Sequence, residues 1–374
     1  MISAKRAWAE INLQHIAHNV RSVRRHVPAT ASLIAITKAD GYGHGSGPVS
    51  QTALENGASA LGVATVEEGL ALRECGIQTP ILLLGYTPEG RLQAAFQNRL
   101  SLTVYDHTSA AALLAKAEEG NFRNIPIHIK IDSGMNRLGF LPTDESRKQI
   151  LELAAHPRLS VQGLFTHYAF SDTWDRGFTL EQYSVFSKFI QTLRAYGLHA
   201  PCHASNSGGI ITMPENSLDF VRPGIILYGL TPSPEVGSGG LDLRPAMTLK
   251  TIVVQVRDVP GGETIGYGRT YRTEGTTRVA NVAIGYADGY PRLLSNQGHV
   301  LIRGRFAPLV GRISMDQCIV DVTHIPGVIP GDEAVLIGRQ GENEISAEEI
   351  AAATGTIGYE IVCGIGKRVP REYS

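Results

Sequence analysis

The 374-residue sequence is short of several things, and each shortage removes a class of protein. Its four cysteines (Cys75, Cys202, Cys318 and Cys363) lie far apart with no Cys-x-x-Cys, so neither a disulfide framework nor a metal site is expected. They read as reduced, mostly buried thiols. No apolar run approaches the ~20 residues of a membrane span. The start, Met-Ile-Ser-Ala-Lys-Arg-Ala-Trp, lacks the apolar core of a signal peptide, so a cytoplasmic location is expected. Net charge is -1 with both signs dispersed, and no basic stripe marks a nucleic-acid partner. Internal repeats and low-complexity tracts are missing too.

What remains is ordinary globular composition, 43% hydrophobic and 18% charged. At 374 residues the chain is too long for a typical single core, so two domains, or a barrel with an appendage, are expected. The most informative stretch is Ser32-Leu-Ile-Ala-Ile-Thr-Lys38-Ala-Asp-Gly-Tyr42-Gly-His-Gly45. A strand-like apolar run stops at a lysine, three glycines follow, and a helix-like segment begins at Pro48. An ammonium at the end of a buried strand is costly unless paired or neutralised. One use for it is a Schiff base, which benefits from a depressed pKa and a fixed position. The alternative is that Lys38 caps the strand and points into solvent. The glycines permit close backbone approach to a ligand, and Tyr42 places a hydroxyl beside that space.

Strand-like and helix-like segments alternate from about residue 30 to about residue 230. Strands are predicted at 33–37, 60–64, 81–84, 101–104, 125–131, 161–166, 198–203 and 219–221. Helices are predicted at 66–75, 88–97, 108–119, 144–156 and 180–196, the last with Phe186, Phe189, Ile190 and Leu193 at helical spacing. This is the pattern of an α/β (β/α)8 TIM-type barrel; a doubly wound open sheet would alternate in the same way. Chemistry-bearing residues recur at the C-terminal ends of these strands: Lys38, Lys130 with Arg137, His167, Asn206-Ser207 and Arg222. Barrel enzymes assemble their sites on that face. After Gly229 a Pro/Gly/Ser-rich connector leads into short β-branched runs at 249–256, 277–284, 299–302, 308–310, 318–322 and 333–337, with one helical pattern at 347–353. The reading is a barrel over 12–230 and a β-rich C-terminal domain over 241–374, joined by residues 1–11.

In sequence order come Lys38-Ala-Asp-Gly-Tyr-Gly-His-Gly45, Lys130-Ile-Asp-Ser-Gly-Met-Asn-Arg137, Thr166-His167, Ser205-Asn-Ser207 and Val221-Arg-Pro-Gly-Ile225. They are followed by Gly266-Tyr267-Gly-Arg-Thr-Tyr271, Gly285-Tyr-Ala-Asp-Gly289 and Gly311-Arg-Ile-Ser-Met315-Asp316. With these motifs the chain resembles the alanine racemase family over nearly its whole length. The resemblance implies a pyridoxal 5'-phosphate enzyme interconverting L- and D-alanine by two bases and supplying D-alanine for peptidoglycan. It also implies a homodimer with shared active sites. The alternative within the fold is a serine or broad-specificity racemase.

By that resemblance Lys38 would carry the cofactor, and Tyr42, Ser207, Gly224, Ile225 and Tyr359 would hold its phosphate beside Asn206. Arg222, always protonated and only a donor, would face the pyridine nitrogen and keep it unprotonated, making the ring a weaker electron sink. Such a ring favours return of a proton to Cα over transamination. A decarboxylase of the same fold would place a glutamate there, and a carrier made of the barrel alone would lack the second domain. Lys38 and Tyr267 would be the catalytic acid–base pair, Tyr267 reaching in from the partner subunit. A hydrogen bond from Tyr267 to His167, itself backed by Arg222, would favour the phenolate. Arg137 and the backbone of Met315 would hold the substrate carboxylate. Lys130 corresponds to a position that is often carbamylated, with a plain ion pair to Asp132 or another acid as its alternative. Asp172, Tyr286, Arg292, Arg312 and Ile357 would line the substrate entrance together with Tyr359. Asn136 stands where other members have glycine.

Overall fold

The computed structural model describes residues 5–374; residues 1–4, grouped above with the second domain, lie outside the described residues. The chain divides into two compact units. One comprises Ile16–Gly41 and Ser46–Leu243, the other the chain up to His15, Tyr42–Gly45 and Arg244–Ser374.

The first unit is built on eight strands: Ser32–Ile36, Ala58–Val63, Ile81–Leu83, Leu102–Val104, Ile125–Lys130, Leu159–Phe165, Cys202–His203 and Phe220–Val221. Every pairing among them is parallel, and Phe220–Val221 pairs back onto Ser32–Ile36. The ring closes at Ser101, whose N–H donates to Ile81 O and whose carbonyl accepts from Leu83 N, both at 2.8 Å. The alternation in the sequence thus makes a closed barrel rather than an open doubly wound sheet. On the face turned toward the helices Leu33, Leu61, Ile81, Leu83, Ile127, Ile129 and Leu164 are fully buried, while the alternate residues, among them Ile34, Leu82, His128 and Lys130, point into the barrel.

The outer helices follow from apolar spacing and caps. Gly177–Ala195 buries Phe186, Phe189, Ile190 and Leu193. Val66–Glu74 starts with a Thr65–Glu68 capping box, and the helices His107–Glu119 and Asp144–Ala155 are capped by Asp106 and Thr143. The strand predicted at 198–203 shortens to Cys202–His203, because that two-residue segment alone reaches the register of its neighbours. The helix Leu13–His26 was not anticipated, although Ile16, Ala17, Val20 and Val23 repeat at helical spacing and are buried.

In the second unit the long strand Met247–Val259 is the hub. It pairs antiparallel with Ala7–Ile11, Thr277–Val282 and Glu333–Gln340, and Arg371–Tyr373 adds in parallel to Ala7–Ile11. The run predicted at 308–310 is found as Arg305–Pro308, in a hairpin with His299–Ile302. Beyond the expected helix at Ala347–Thr354, a second one forms at Gly358–Gly364.

One buried carboxylate organises the loops of this unit. Asp288 is fully buried, bonds Arg6, pairs with Arg368 Nε at 2.9 Å and accepts the N–H of Gly285 at 2.9 Å. Arg368 reaches Asp316 as well, at 2.6 Å. The turn Gly285–Asp288, which carries Tyr286, is therefore pinned from below. A Cβ on Gly285 would lie 2.3 Å from Ser314 O, so only glycine lets this turn meet the Ser314–Met315 backbone. Asp288→Ala leaves two guanidinium groups without their shared acceptor and is expected to cost about 3 kcal/mol. Urea unfolding measures it, and a loss below about 1 kcal/mol would contradict the role.

Candidate active site

Lys38 stands just past the strand Ser32–Ile36 and opens a turn of the wrong hand. Ala39, Asp40 and Gly41 have φ of 51°, 51° and 60° with ψ of 49°, 50° and 45°, and Tyr42 follows at φ 51°. These are left-handed helical angles, which cost roughly 1–2 kcal/mol for each residue bearing a Cβ. Glycine relieves only one position, so the strain is held by the surroundings. Gly41 N donates to Thr37 O at 3.0 Å, and Asp40 Oδ1 accepts from Ser46 N at 2.9 Å. Glu68 Oε1 accepts Ala39 N and Oε2 accepts Ala64 N, each at 2.7 Å. The backbone around Lys38 is thereby fixed before any ligand arrives.

Across the same face, Arg222 follows the strand Phe220–Val221 and is almost wholly buried. Its Nη2 donates to Thr166 O at 2.8 Å and Ala204 O at 2.7 Å, and meets His167 Nδ1 at 3.3 Å. Its Nη1 meets His203 Nδ1 at 2.6 Å, and His203 Nε2 meets His128 Nδ1 at 2.9 Å. Burial and then Arg222 hold His167 and His203 well below the ordinary imidazole range and bring His128 to about 4, so all three are neutral at pH 7. Burial brings Arg222 itself down to about 10, still cationic. Both Nη2 protons go to the two carbonyls, so His167 Nδ1 shares one of them at the longer 3.3 Å; a lone pair rather than a proton faces the cation there, and Nε2 carries the N–H.

Lys130 ends its strand over the ring of Phe165, 5.6 Å from the centroid, and Arg222 lies 5.5 Å from that centroid. Burial, followed by the charges of Arg137 and Arg222, lowers Lys130 to about 8. Asp132 does not serve Lys130 as its main partner. Its carboxylate accepts the backbone N–H groups of Gly134 at 2.9 Å, Asn136 at 3.0 Å and Arg137 at 2.9 Å. Burial raises its pKa, but those N–H groups outweigh burial and leave it below the usual range. Asn136 has φ 54°, a left-handed conformation that asparagine tolerates better than most residues with a Cβ.

A smaller cradle sits beside this cluster. Asn206 caps the helix Ser207–Thr212, accepting Gly209 N at 3.0 Å and Ser171 Oγ at 2.6 Å, so its side chain is committed to holding loops. Ser207 Oγ accepts Gly224 N at 2.9 Å, leaving its own proton to donate. Ile225 opens the 3₁₀ turn Ile225–Tyr228, where the first N–H has no partner within the turn. In the second unit Tyr42 and Tyr359 face each other with ring centroids 6.0 Å apart. There Tyr267, Met315, Ile357 and Tyr286 are 69%, 52%, 55% and 41% exposed, and Arg292 and Arg312 are exposed beside them in sequence. Tyr286 N donates to Ser314 O at 3.1 Å, and Ala287 N to Met315 O at 2.9 Å, so these loops share one surface. Asp172 is exposed on a loop of the barrel unit.

The barrel face therefore joins Lys38, Lys130, Arg137 and Arg222, while the carboxylates of Asp40, Glu68 and Asp132 are spent on backbone N–H groups. A surplus of fixed positive charge, unspent donors at Ser207 and Ile225 and a lysine on a rigid turn fit a phosphorylated aldehyde cofactor. His128, His203 and Glu68 were missed from the sequence. His128 stands two residues before Lys130, so a strand's period of two already put both on one face.

A closed parallel barrel with its lysine and arginine on the C-terminal face, followed by a β unit, defines an α/β barrel enzyme of phosphate-cofactor type. The comparisons refine this. The alanine racemase N-terminal domain model matches residues 11–232, and the alanine racemase C-terminal domain model matches 246–373. The chain belongs to the alanine racemase family. It is 46% identical over 373 residues to an alanine racemase of Clostridium perfringens (strain SM101 / Type A), covering all of this chain and 96% of that protein. A solved alanine racemase of Clostridium difficile 630 superposes with TM-score 0.95 at 38% identity, covering 100% of this chain and 96% of that one. The Bacillus anthracis alanine racemase structure with bound L-Ala-P gives TM-score 0.93 at 36% identity, covering 100% and 96%. The family is pyridoxal-phosphate-dependent.

The neutral histidines set a pH dependence. Each has a folded pKa below its unfolded value of about 6.5, so below that pH the unfolded chain takes up protons that the fold refuses. Stability is expected to fall as pH drops from about 6.5 toward 4, at up to about 1.4 kcal/mol per pH unit for each such histidine. Urea unfolding across that range should show a shallower fall for His128→Asn, and an unchanged slope would contradict the assignment.

Proposed function

We propose that this chain is an alanine racemase whose D-alanine supplies peptidoglycan. The observation that carries the reading is a lysine on a fixed left-handed turn sharing one barrel face with a buried, histidine-backed arginine. When bound, pyridoxal 5'-phosphate supplies an electron-withdrawing ring that acidifies the Cα–H of alanine. Lys38 would tether that group and, as a free amine, exchange a proton with Cα on one side. Tyr267 of a second copy does so on the other. Ser207, Gly224, Ile225, Tyr42 and Tyr359 hold the phosphate, and Asn206 positions Ser207.

Arg222 donates and cannot accept, so it keeps a facing ring nitrogen unprotonated and limits how far charge leaves Cα. His167, neutral with an Nε2–H to give, steadies the Tyr267 oxygen as it gains and loses its proton. Arg137 and the Met315 N–H bind the substrate carboxylate. Lys130 is carbamylated; a pKa near 8 leaves enough neutral amine to take up carbon dioxide, and the new anion holds Arg137. Asp172, Tyr286, Arg292, Arg312 and Ile357 line the entrance.

The working unit is a homodimer with shared sites. Support comes from the exposed Tyr267, Met315, Tyr286 and Ile357, a set of large apolar side chains unusual on a free surface. None of the four cysteines is in a disulfide, and only Cys202 and Cys318 are buried where most were expected to be; unpaired sulfur chemistry of this kind supports a reducing cytoplasm. The family-model boundaries support a division into a barrel domain over 12–230 and a β domain over 241–374 with the N-terminal strand.

The cofactor-loaded protein should bring optical rotation to zero from L-alanine and from D-alanine alike. Unchanged rotation with the cofactor bound through Lys38 would refute the activity. Tyr267→Phe should slow Cα–H exchange in deuterated water by about 10²–10⁴-fold for one enantiomer only; equal, modest losses for both would count against the two-base assignment. Mixed Lys38→Ala and Tyr267→Phe subunits should regain activity, and silent, verified heterodimers would rule out shared sites.

A further inference from the structure

At the N-terminal mouth of the barrel, away from the strand ends that carry Lys38 and Arg222, the strand starts surround a second cavity of about 420 Å³. That volume is in the range of small-ligand sites. Ile34, Leu82 and Phe220 give it apolar walls, Arg73 and Arg99 line it, and no carboxylate does. Arg73 donates Nε to Asn98 O at 3.0 Å, Nη1 to Ile77 O and Thr79 O at 2.8 and 2.9 Å, and Nη2 to Arg99 O at 3.3 Å. Four of the five guanidinium donors are thus spent on neutral carbonyls, which fix the group and leave one donor over. Burial lowers the proton affinity of Arg73 with no neighbouring carboxylate to offset it. The inner wall is His128, which keeps its hydrogen bond to His203 on the side away from the cavity.

A rigid, un-neutralised cation above apolar walls selects for two properties together. A neutral apolar guest would leave the guanidinium without a counter-charge, and a bare inorganic anion would leave the apolar walls unfilled. We propose that this cavity is a second binding site, taking a small carboxylate with a compact apolar body. It is separate from the cationic face at the other mouth of the barrel.

Benzoate is the probe, with benzamide as its neutral counterpart and inorganic phosphate as an anion without an apolar body. Calorimetric titration of the cofactor-loaded protein should show benzoate binding at least ten-fold more tightly than either control. The imidazole resonances of His128 should shift on saturation. Arg99→Glu reverses charge at an exposed position, and Ala60→Leu fills the cavity. Each should weaken benzoate at least ten-fold while the thermal midpoint without ligand stays within a few degrees. Benzoate affinity equal in wild type and both variants would place the ligand elsewhere and overturn the proposal. So would equal binding of benzamide or phosphate, or an unmoved His128.

Discussion

Everything at the candidate site rests on the burial of one guanidinium. Arg222 lies almost fully out of water, yet it stays charged because Thr166 O, Ala204 O, His203 and His167 receive its N–H donors. A buried cation with its hydrogen bonds satisfied by neutral acceptors keeps its full electrostatic reach. Burial is the larger cause of the neutral imidazoles, and that reach adds to it; for Lys130 it adds to burial and to the charge of Arg137. An acid placed against Arg222 would remove its share of both effects. The identity of the partners matters as much as the arginine does.

The second constraint is the backbone after Lys38. Consecutive left-handed residues are unfavourable, and here the strain is balanced by Glu68, Asp40 and Thr37. A lysine has four rotatable carbons and would otherwise wander. Fixing its Cα leaves the side chain to sweep a small arc over the barrel mouth, which suits a group that must hold a ligand and then release it. The two ends of the barrel differ in kind: one concentrates cations around a rigid lysine, the other sets arginines over an apolar hollow.

In the β unit the arrangement is different. Its loops are pinned from within by Asp288 and present Tyr267, Tyr286 and Met315 outward. Large side chains held outward on fixed loops are costly to leave in water and are the usual mark of a surface that meets another chain.

Much of this was legible in the residues. Period-two and period-3.6 patterns marked the barrel strands and most of its helices, because burying one face dictates which residue types recur. Lys38, Arg137 and Arg222 stood out because charge at the end of an apolar strand is hard to place without a use for it, and His167 because it falls at a strand end on the same face. Other features were decided only by folding. His203 and Arg222 stand nineteen residues apart in the chain and touch at 2.6 Å. Glu68 closes a helix cap and also holds the turn beside Lys38, two roles set by the fold. The sequence by itself determined which segments pair locally and which face of each is apolar, since those follow from side-chain chemistry and backbone period alone. The tertiary structure decided which distant polar atoms meet, because a hydrogen bond depends on ångström-scale positions that closure of the barrel sets.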